Sequence, residues 1–226
     1  MCGRFTLTVD PGQLQDTFPW ATIPDTFPPR FNIAPTQPVA VIPNDGKNLM
    51  DFYVWGLIPS WAKDPDIGNR MINARAETLA EKPAFRSAFK RRRCLILADG
   101  FYEWQQEAGK KTKIPMYIQL KNKKPFAFAG LWEIWNASDG SEIRSCTIIT
   151  TRPNRMMEEI HNRMPAILAP QHYQLWLSPD EKEAGSLAAL LEPIPSDEMK
   201  AYPVSRLVNS PNNDLPDCIL PVTYER

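Results

Sequence analysis

Residues 94–106 read Cys-Leu-Ile-Leu-Ala-Asp-Gly-Phe-Tyr-Glu-Trp-Gln-Gln, and the reading of this stretch decides the fold. A β-branched and apolar run ends at Asp99-Gly100, a turn pair, and an aromatic run leaves the turn at once. That is two short strands with no room for a crossover helix. The same texture extends outward: RFTLTV, VAVIP and MDFYVWG before it, IPMYIQL, FAFAGLW and CTIITT after it, each bounded by Pro, Gly, Asn or Asp. Helix signals are fewer. Asp10-Pro11 caps a segment over 11–18, Pro83 opens one through Arg91, and Ser178-Pro179-Asp180-Glu181 is a capping-box pattern ahead of an Ala/Leu-rich 185–192. Strands that do not alternate with helices of 10–15 residues argue against a doubly wound parallel sheet. The expectation is an α+β fold: one domain over 1–226, with a curved, mainly antiparallel, barrel-like sheet core flanked by short helices.

Composition agrees. The chain has 226 residues, 43% hydrophobic and 23% charged, which excludes collagen, coiled coil and wholesale disorder. Proline, at 23 residues, is about twice its usual roughly 5% and favours turns over long helices. No apolar run approaches the roughly 18–20 residues that span a bilayer. The opening MCGRFTLTVDPGQ lacks a secretory layout, so a monomeric cytoplasmic protein, not bound to membrane, is expected. Net charge is zero, yet residues 1–124 hold 18 basic and 12 acidic side chains and residues 125–226 hold 8 and 14. The basic excess peaks at Arg86, Lys90, Arg91, Arg92 and Arg93, either a solvated helix face or an anion-binding surface.

The cysteines Cys2, Cys94, Cys146 and Cys218 are far apart, so zinc and redox spacings are absent and no metal or cofactor is expected. Cys94, Cys146 and Cys218 sit in apolar surroundings and read as buried small hydrophobes. Cys2 is read differently, since a residue one bond from the chain start has no strand to surround it. Removal of Met1 would leave an α-amine of pKa roughly 7.7–8.0 and a thiol of about 8.5 on one residue, both partly nucleophilic near neutral pH without a deeply buried base. Such a 1,2-aminothiol condenses with an aldehyde to an imine, and its sulfur then closes a thiazolidine. An inert terminal cysteine is the alternative.

Three further motifs carry polar groups in unusual places. In Ile72–Thr78, Asn73 and Arg75 suit a tight turn, where Asn holds a terminal amine or carbonyl and Arg forks onto phosphate, or an ordinary capped helix. In the second strand of the opening stretch, Glu103 stands between Tyr102 and Trp104. Alternation puts Phe101 and Glu103 on one face, where burial would raise the carboxyl pKa for proton transfer; an exposed strand glutamate is the other option. His161 lies where a helical run meets the loop before Pro165, a natural acid/base position or a hydrogen-bonded structural one. His172 reads as structural. The loops at 30–36 and 55–61 set aromatics beside Pro and Arg, as base-stacking platforms or as core and turn residues.

Together the stretches MCGRF, RFNIAPTQ, WGLIPSWAKD, INARAET, RRCLILADGFYEW, FAGLWE, TIITTRPN, IHNRMPAIL and VSRLVNSPNND resemble the SRAP (SOS response-associated peptidase) family, abasic-site processing proteins included, from residue 1 to about 214. The resemblance implies a β-rich core around a positive groove, binding of single-stranded DNA, and covalent capture of abasic sites. It implies Cys2 as nucleophile, Asn73 as the residue orienting the new N-terminus, and Glu103 with His161 as the acid/base pair. Arg4, Arg75 and Arg86 are expected at phosphates, with Trp104 and Trp61 shaping the DNA path. Peptidase and lyase side activities follow from the same chemistry. Two other classes stay open: an N-terminal-nucleophile amidohydrolase like the glutamine amidotransferases, and a non-catalytic DNA-binding module.

Overall fold

The computed structural model describes residues 2–107, 109, 112–180 and 184–224. Met1 lies outside the described residues, and so does Glu181, the closing residue of the capping box expected at 178–181. The fold is α+β, as expected, and its centre is a closed barrel of five strands. These are β3 (Pro38–Pro43), β4 (Asp51–Trp55), β6 (Arg93–Ala98), β9 (Phe126–Asn136) and β10 (Glu142–Thr151). The strands pair in the ring β10-β4-β3-β6-β9 and back to β10. Every pair in the ring is antiparallel but one. β10 runs parallel to β4, with Cys146 opposite Trp55. It also runs parallel to the short β5 (Asn73–Arg75), with Ile148 opposite Asn73. Closure removes the exposed edges that five β-rich strands would otherwise present.

A second, wholly antiparallel sheet packs beside the barrel. Its order is β13 (Met199–Pro203), β8 (Lys113–Leu120), β7 (Gly100–Gln106), β1 (Phe5–Leu7) and β2 (Arg30–Ile33). The opening stretch of sequence joins the two layers: β6 belongs to the barrel and β7 to the second sheet, with Asp99 between them. Gly100 allows the closest approach, because a Cβ there would lie 2.1 Å from the Tyr117 hydroxyl. Phe5 fills the junction, edge-on to Trp55 at 5.1 Å and to Phe128 at 5.6 Å. Alternation along β7 holds: Phe101 enters the main core, whereas Tyr102 joins Tyr117 and Val204 in a smaller cluster that Trp104 covers.

The helices are short. α1 (Pro11–Thr17) has the N-cap expected at Asp10, and Gln13 reciprocates to complete a capping box that was not foreseen. α2 (Arg86–Arg91) begins three residues after Pro83, because residues 82–85 close a turn on the Lys82 carbonyl first. α3 (Arg155–Glu158) precedes the strands β11 (Met164–Pro165) and β12 (Ile167–Leu168); α4 (Tyr173–Trp176) and α5 (Ala184–Ala188) complete the set. Among the described residues no helix is long and apolar enough to cross a membrane.

The basic run needs a correction. Arg93 is fully buried. Strand alternation in β6 turns it inward, where its guanidinium donates to the carbonyls of Trp176, Phe89, Lys90, Ser178 and Asp180. It ties the α2 and α4 ends to the barrel and cannot reach a phosphate. Arg92 pairs with the buried Glu133 at 2.7 Å.

Candidate active site

The site is built at the N-terminus, and the first question is what orders a chain end. Asp99 does much of it. Its carboxylate accepts from the Thr6 and Thr8 hydroxyls and from the backbone N–H groups of Thr8 and Val9. Its position between β6 and β7 therefore fixes β1 against both layers. The β1/β7 register sets Phe5 opposite Phe101, and Tyr102 N donates to the Arg4 carbonyl at 2.9 Å. Carrying that register two residues further brings Gly3 opposite Glu103.

Cys2 is consequently fully buried and part of the main core, contrary to the expectation that no strand could surround it. Burial, with the Glu103 carboxyl nearby, pushes its thiol well above the ordinary cysteine range. The expectation of a thiol partly ionised without help from a buried base is thus wrong for this environment: the sulfur is held as neutral S–H. Asn73 reaches it from β5, donating Nδ2 to the Cys2 carbonyl at 2.7 Å. The other half of the Asn73 amide, Oδ1, is buried without a hydrogen-bond partner, a costly arrangement that leaves an acceptor beside the chain terminus.

Glu103 is 3% exposed. Burial raises its carboxyl from an ordinary 4.5 to about 7, against the opposing pull of the amino terminus and, more weakly, of Lys113. His161 Nε2 stands 4.0 Å from Glu103 Oε2. Desolvation pushes the imidazole below its usual value, so His161 is neutral at pH 7 and the approach is not an ion pair. Its Nδ1 is set on the Arg163 peptide, 3.1 Å from the N–H and 3.3 Å from the carbonyl. A carboxyl that titrates near 7 next to a neutral imidazole can both take and return a proton under ordinary conditions.

Arg4 points away from this pair. Its NH1 donates to Asn32 Oδ1 at 2.7 Å and to the Val208 carbonyl at 2.6 Å, and its guanidinium lies 5.9 Å above the Trp104 ring. Trp104 in turn donates Nε1 to Asn209. Arg75 is exposed at the end of β5, one residue beyond Ala74 in the segment that carries Asn73. The structure brings Cys2, Asn73, Glu103 and His161 together, with Arg4 and Trp104 alongside. It does not bring in Arg86 or Trp61. Arg86 lines a cleft of about 410 Å³ with Ser87, Lys90 and Arg91. Trp61, 60% exposed, lines another of about 400 Å³ with Lys63 and Arg70.

Four supporting residues had no role in the sequence reading. Buried Asn32 donates to the carbonyls of Val208, Ser210 and Asn213 while accepting from Arg4. Asp214 accepts from the Phe31 and Asn32 N–H groups and pairs with Arg30. Together they fasten the C-terminal segment over the N-terminus. Glu77 and Arg163 form a two-pronged pair at 2.6 and 2.9 Å. The signal that could have found Asn32 was a polar residue inside the strand-like RFNI; Glu77 and Arg163 carry none.

Comparison with known proteins came out consistently. The family model described as SOS response associated peptidase (SRAP) matches residues 1–211. A protein of Bacillus subtilis (strain 168) named abasic site processing protein YoqW is 49% identical over 225 residues, 97% of this chain and 99% of that one. Abasic site processing protein HMCES of Xenopus tropicalis is 32% identical, covering 86% of this chain and 67% of its own. A crystal structure of a protein from Bacteroides thetaiotaomicron superposes with a TM-score of 0.86 at 26% identity, covering 98% of this chain and 100% of that one.

Proposed function

This chain belongs to the SOS response-associated peptidase family, and from that premise we propose that it senses and processes abasic sites in single-stranded DNA by covalent capture on Cys2. The observation that carries the reading is the convergence on Cys2: Asn73 bonded to its carbonyl at 2.7 Å, and Glu103, 4.0 Å from His161, close enough to act on its thiol.

An abasic site in its open form presents an aldehyde at C1′. Once Met1 is removed, the Cys2 amine adds to that carbon to give a carbinolamine, and loss of water gives the imine. The Cys2 sulfur then attacks the imine carbon as its S–H proton passes to nitrogen, closing a thiazolidine. The balance is one water lost overall and no redox change. Because the buried thiol is neutral, its proton needs an acceptor at the moment of attack, and Glu103, titrating near 7, suits that role. His161 serves the hydroxyl that leaves as water. Ring closure is intramolecular and gains a large effective molarity. An imine that fails to close is open to β-elimination, a lyase side reaction. Asn73 Oδ1, lacking a partner, is suited to hold the new amine.

Beside this centre, Arg4 and Arg75 are assigned to phosphates and Trp104 to an unstacked base, while Arg86 and Trp61, which lie outside it, are assigned to phosphate and base contacts further along the strand. The protein acts as a monomer, one domain over 1–226, in the cellular response to DNA damage. The peptidase role proposed is release of its own Met1 through the same groups. The test is denaturing electrophoresis after incubation with an oligonucleotide carrying one abasic site. A heat-stable, stoichiometric adduct is expected. A reversible gel shift with no adduct refutes covalent capture, and glutaminase activity in its place would favour an amidohydrolase.

A further inference from the structure

The Glu77–Arg163 pair joins two segments that carry the candidate chemistry. Glu77 follows β5 and Asn73; Arg163 follows His161 and precedes β11. Between them runs β10, whose Thr150 is paired with Arg75 on one side and Pro165 on the other. The Arg163 guanidinium lies across that strand, bonded to both Glu77 oxygens and to the Thr150 carbonyl. Its side chain is 16% exposed and that of Glu77 50%. A bidentate arginine–carboxylate bond fixes orientation as well as distance. The Arg163 pair holds the Glu77 carboxyl below its usual range, so it stays ionised where DNA is being handled.

That charge is a cost. On the covalent-capture reading a carboxylate near a polyanion opposes binding and takes up the charge of Arg163 as well, so its place asks for a compensating service. The His161 ring supplies one. Nδ1 sits within reach of both the N–H and the carbonyl of Arg163, at 3.1 and 3.3 Å. Accepting from the N–H leaves the proton on Nε2, facing Glu103; donating to the carbonyl leaves Nε2 as an acceptor. The main chain of one residue thus suits either neutral tautomer of the ring, and its carbonyl also suits the imidazolium, provided it is held still.

We propose that Glu77 is a positioning residue for His161: by gripping Arg163 it fixes the main chain on which the imidazole is set. Its consequence for DNA chemistry rests on the covalent-capture reading; the positioning itself does not. The groups acting on His161 include the amino terminus, Glu103 on β7, Lys113 on β8 and the main chain of Arg163. Glu77 acts only through the last.

The test is nitrogen NMR of the histidine rings in the free protein. The chain has only two histidines, and His172→Asn identifies the His161 signals. In Glu77→Gln, hydration of a loosened ring should raise the His161 titration midpoint by about half a unit toward its ordinary value. Arg163→Lys, which keeps the charge but cannot grip both oxygens, should do the same. Unchanged His161 shifts and midpoint in both variants, with melting temperatures showing both folded, overturn the proposal. A second arm reads the chemistry. Glu77→Gln should slow crosslinking about tenfold, a fraction of a general acid/base contribution, while DNA affinity stays equal or tightens. In a His161→Ala background the same substitution should cost nothing further. Equal slowing in both backgrounds overturns the route through His161. Absence of an adduct from the unsubstituted protein would refute the capture reading, leaving the NMR arm to decide the positioning.

Discussion

Glu103→Gln should stabilise the protein while disabling it. The folded state raises the Glu103 carboxyl from an ordinary 4.5 to about 7, chiefly by burial. A raised folded pKa means that the folded state binds the proton more tightly than the unfolded chain. Stability from this group is therefore complete below about pH 4.5, declines as pH rises, and is lost above about 7. Each tenfold in proton affinity is about 1.4 kcal/mol, so the ionised carboxylate costs roughly 3 kcal/mol at pH 8. Gln keeps the shape without the charge and escapes that cost. At about 2–4 °C per kcal/mol for a chain of this size, the variant should melt roughly 6–12 °C higher at pH 8 and about equally at pH 4.5. Calorimetry across that range, on samples whose N-terminal state is matched by mass spectrometry, reads the difference. Equal melting at pH 8, or a wild type that gains on the variant as pH rises, would refute the reasoning. The same variant should crosslink abasic DNA about 10²–10⁴ times more slowly.

Other expectations follow from the same geometry. Cys2→Ala should abolish the heat-stable adduct while leaving a borohydride-trappable imine; Cys2→Ser should give a weaker, reversible ring. The crosslinking rate should rise from about pH 6 to about pH 8, as Glu103 near 7 and an amine of roughly 7.7–8.0 lose their protons; a rate falling over that range would reverse the assigned roles. Arg93→Ala, which leaves buried carbonyls without their donors, should destabilise by at least about 1–3 kcal/mol, measured by urea unfolding, and leave the salt dependence of DNA binding unchanged. Arg75→Ala and Arg86→Ala should instead each lower the slope of log affinity against log salt by roughly 0.7 for each phosphate no longer neutralised.

The strands were legible because their β-branched and aromatic runs are bounded by turn residues that act locally, as at Asp99-Gly100. The barrel-like core was expected from them, but the pairing that closes it was not legible. Closure depends on β10 pairing in parallel with β4 and β5, contacts with no turn to announce them. Glu103 was legible because one acidic residue between aromatics conflicts with its surroundings, and burial resolved the conflict as a raised pKa. Cys2 was misjudged because local reasoning treats a chain end as free, whereas Asp99, more than ninety positions away, supplies the hydrogen bonds that order it. Arg93 was misjudged because consecutive arginines look alike until strand alternation turns one of them inward. Glu77 and Arg163 carry no local signal, since their bond exists only once β5 and the His161 loop meet across β10.

The central claim, capture of an aldehyde by the amine and thiol of Cys2, is tested most directly by peptide mass spectrometry of the denatured adduct. Digestion should yield a crosslinked peptide that begins at Cys2, lacks Met1, and carries the oligonucleotide mass less one water. A crosslinked peptide that still carries Met1, or one joined through a lysine, would contradict the account.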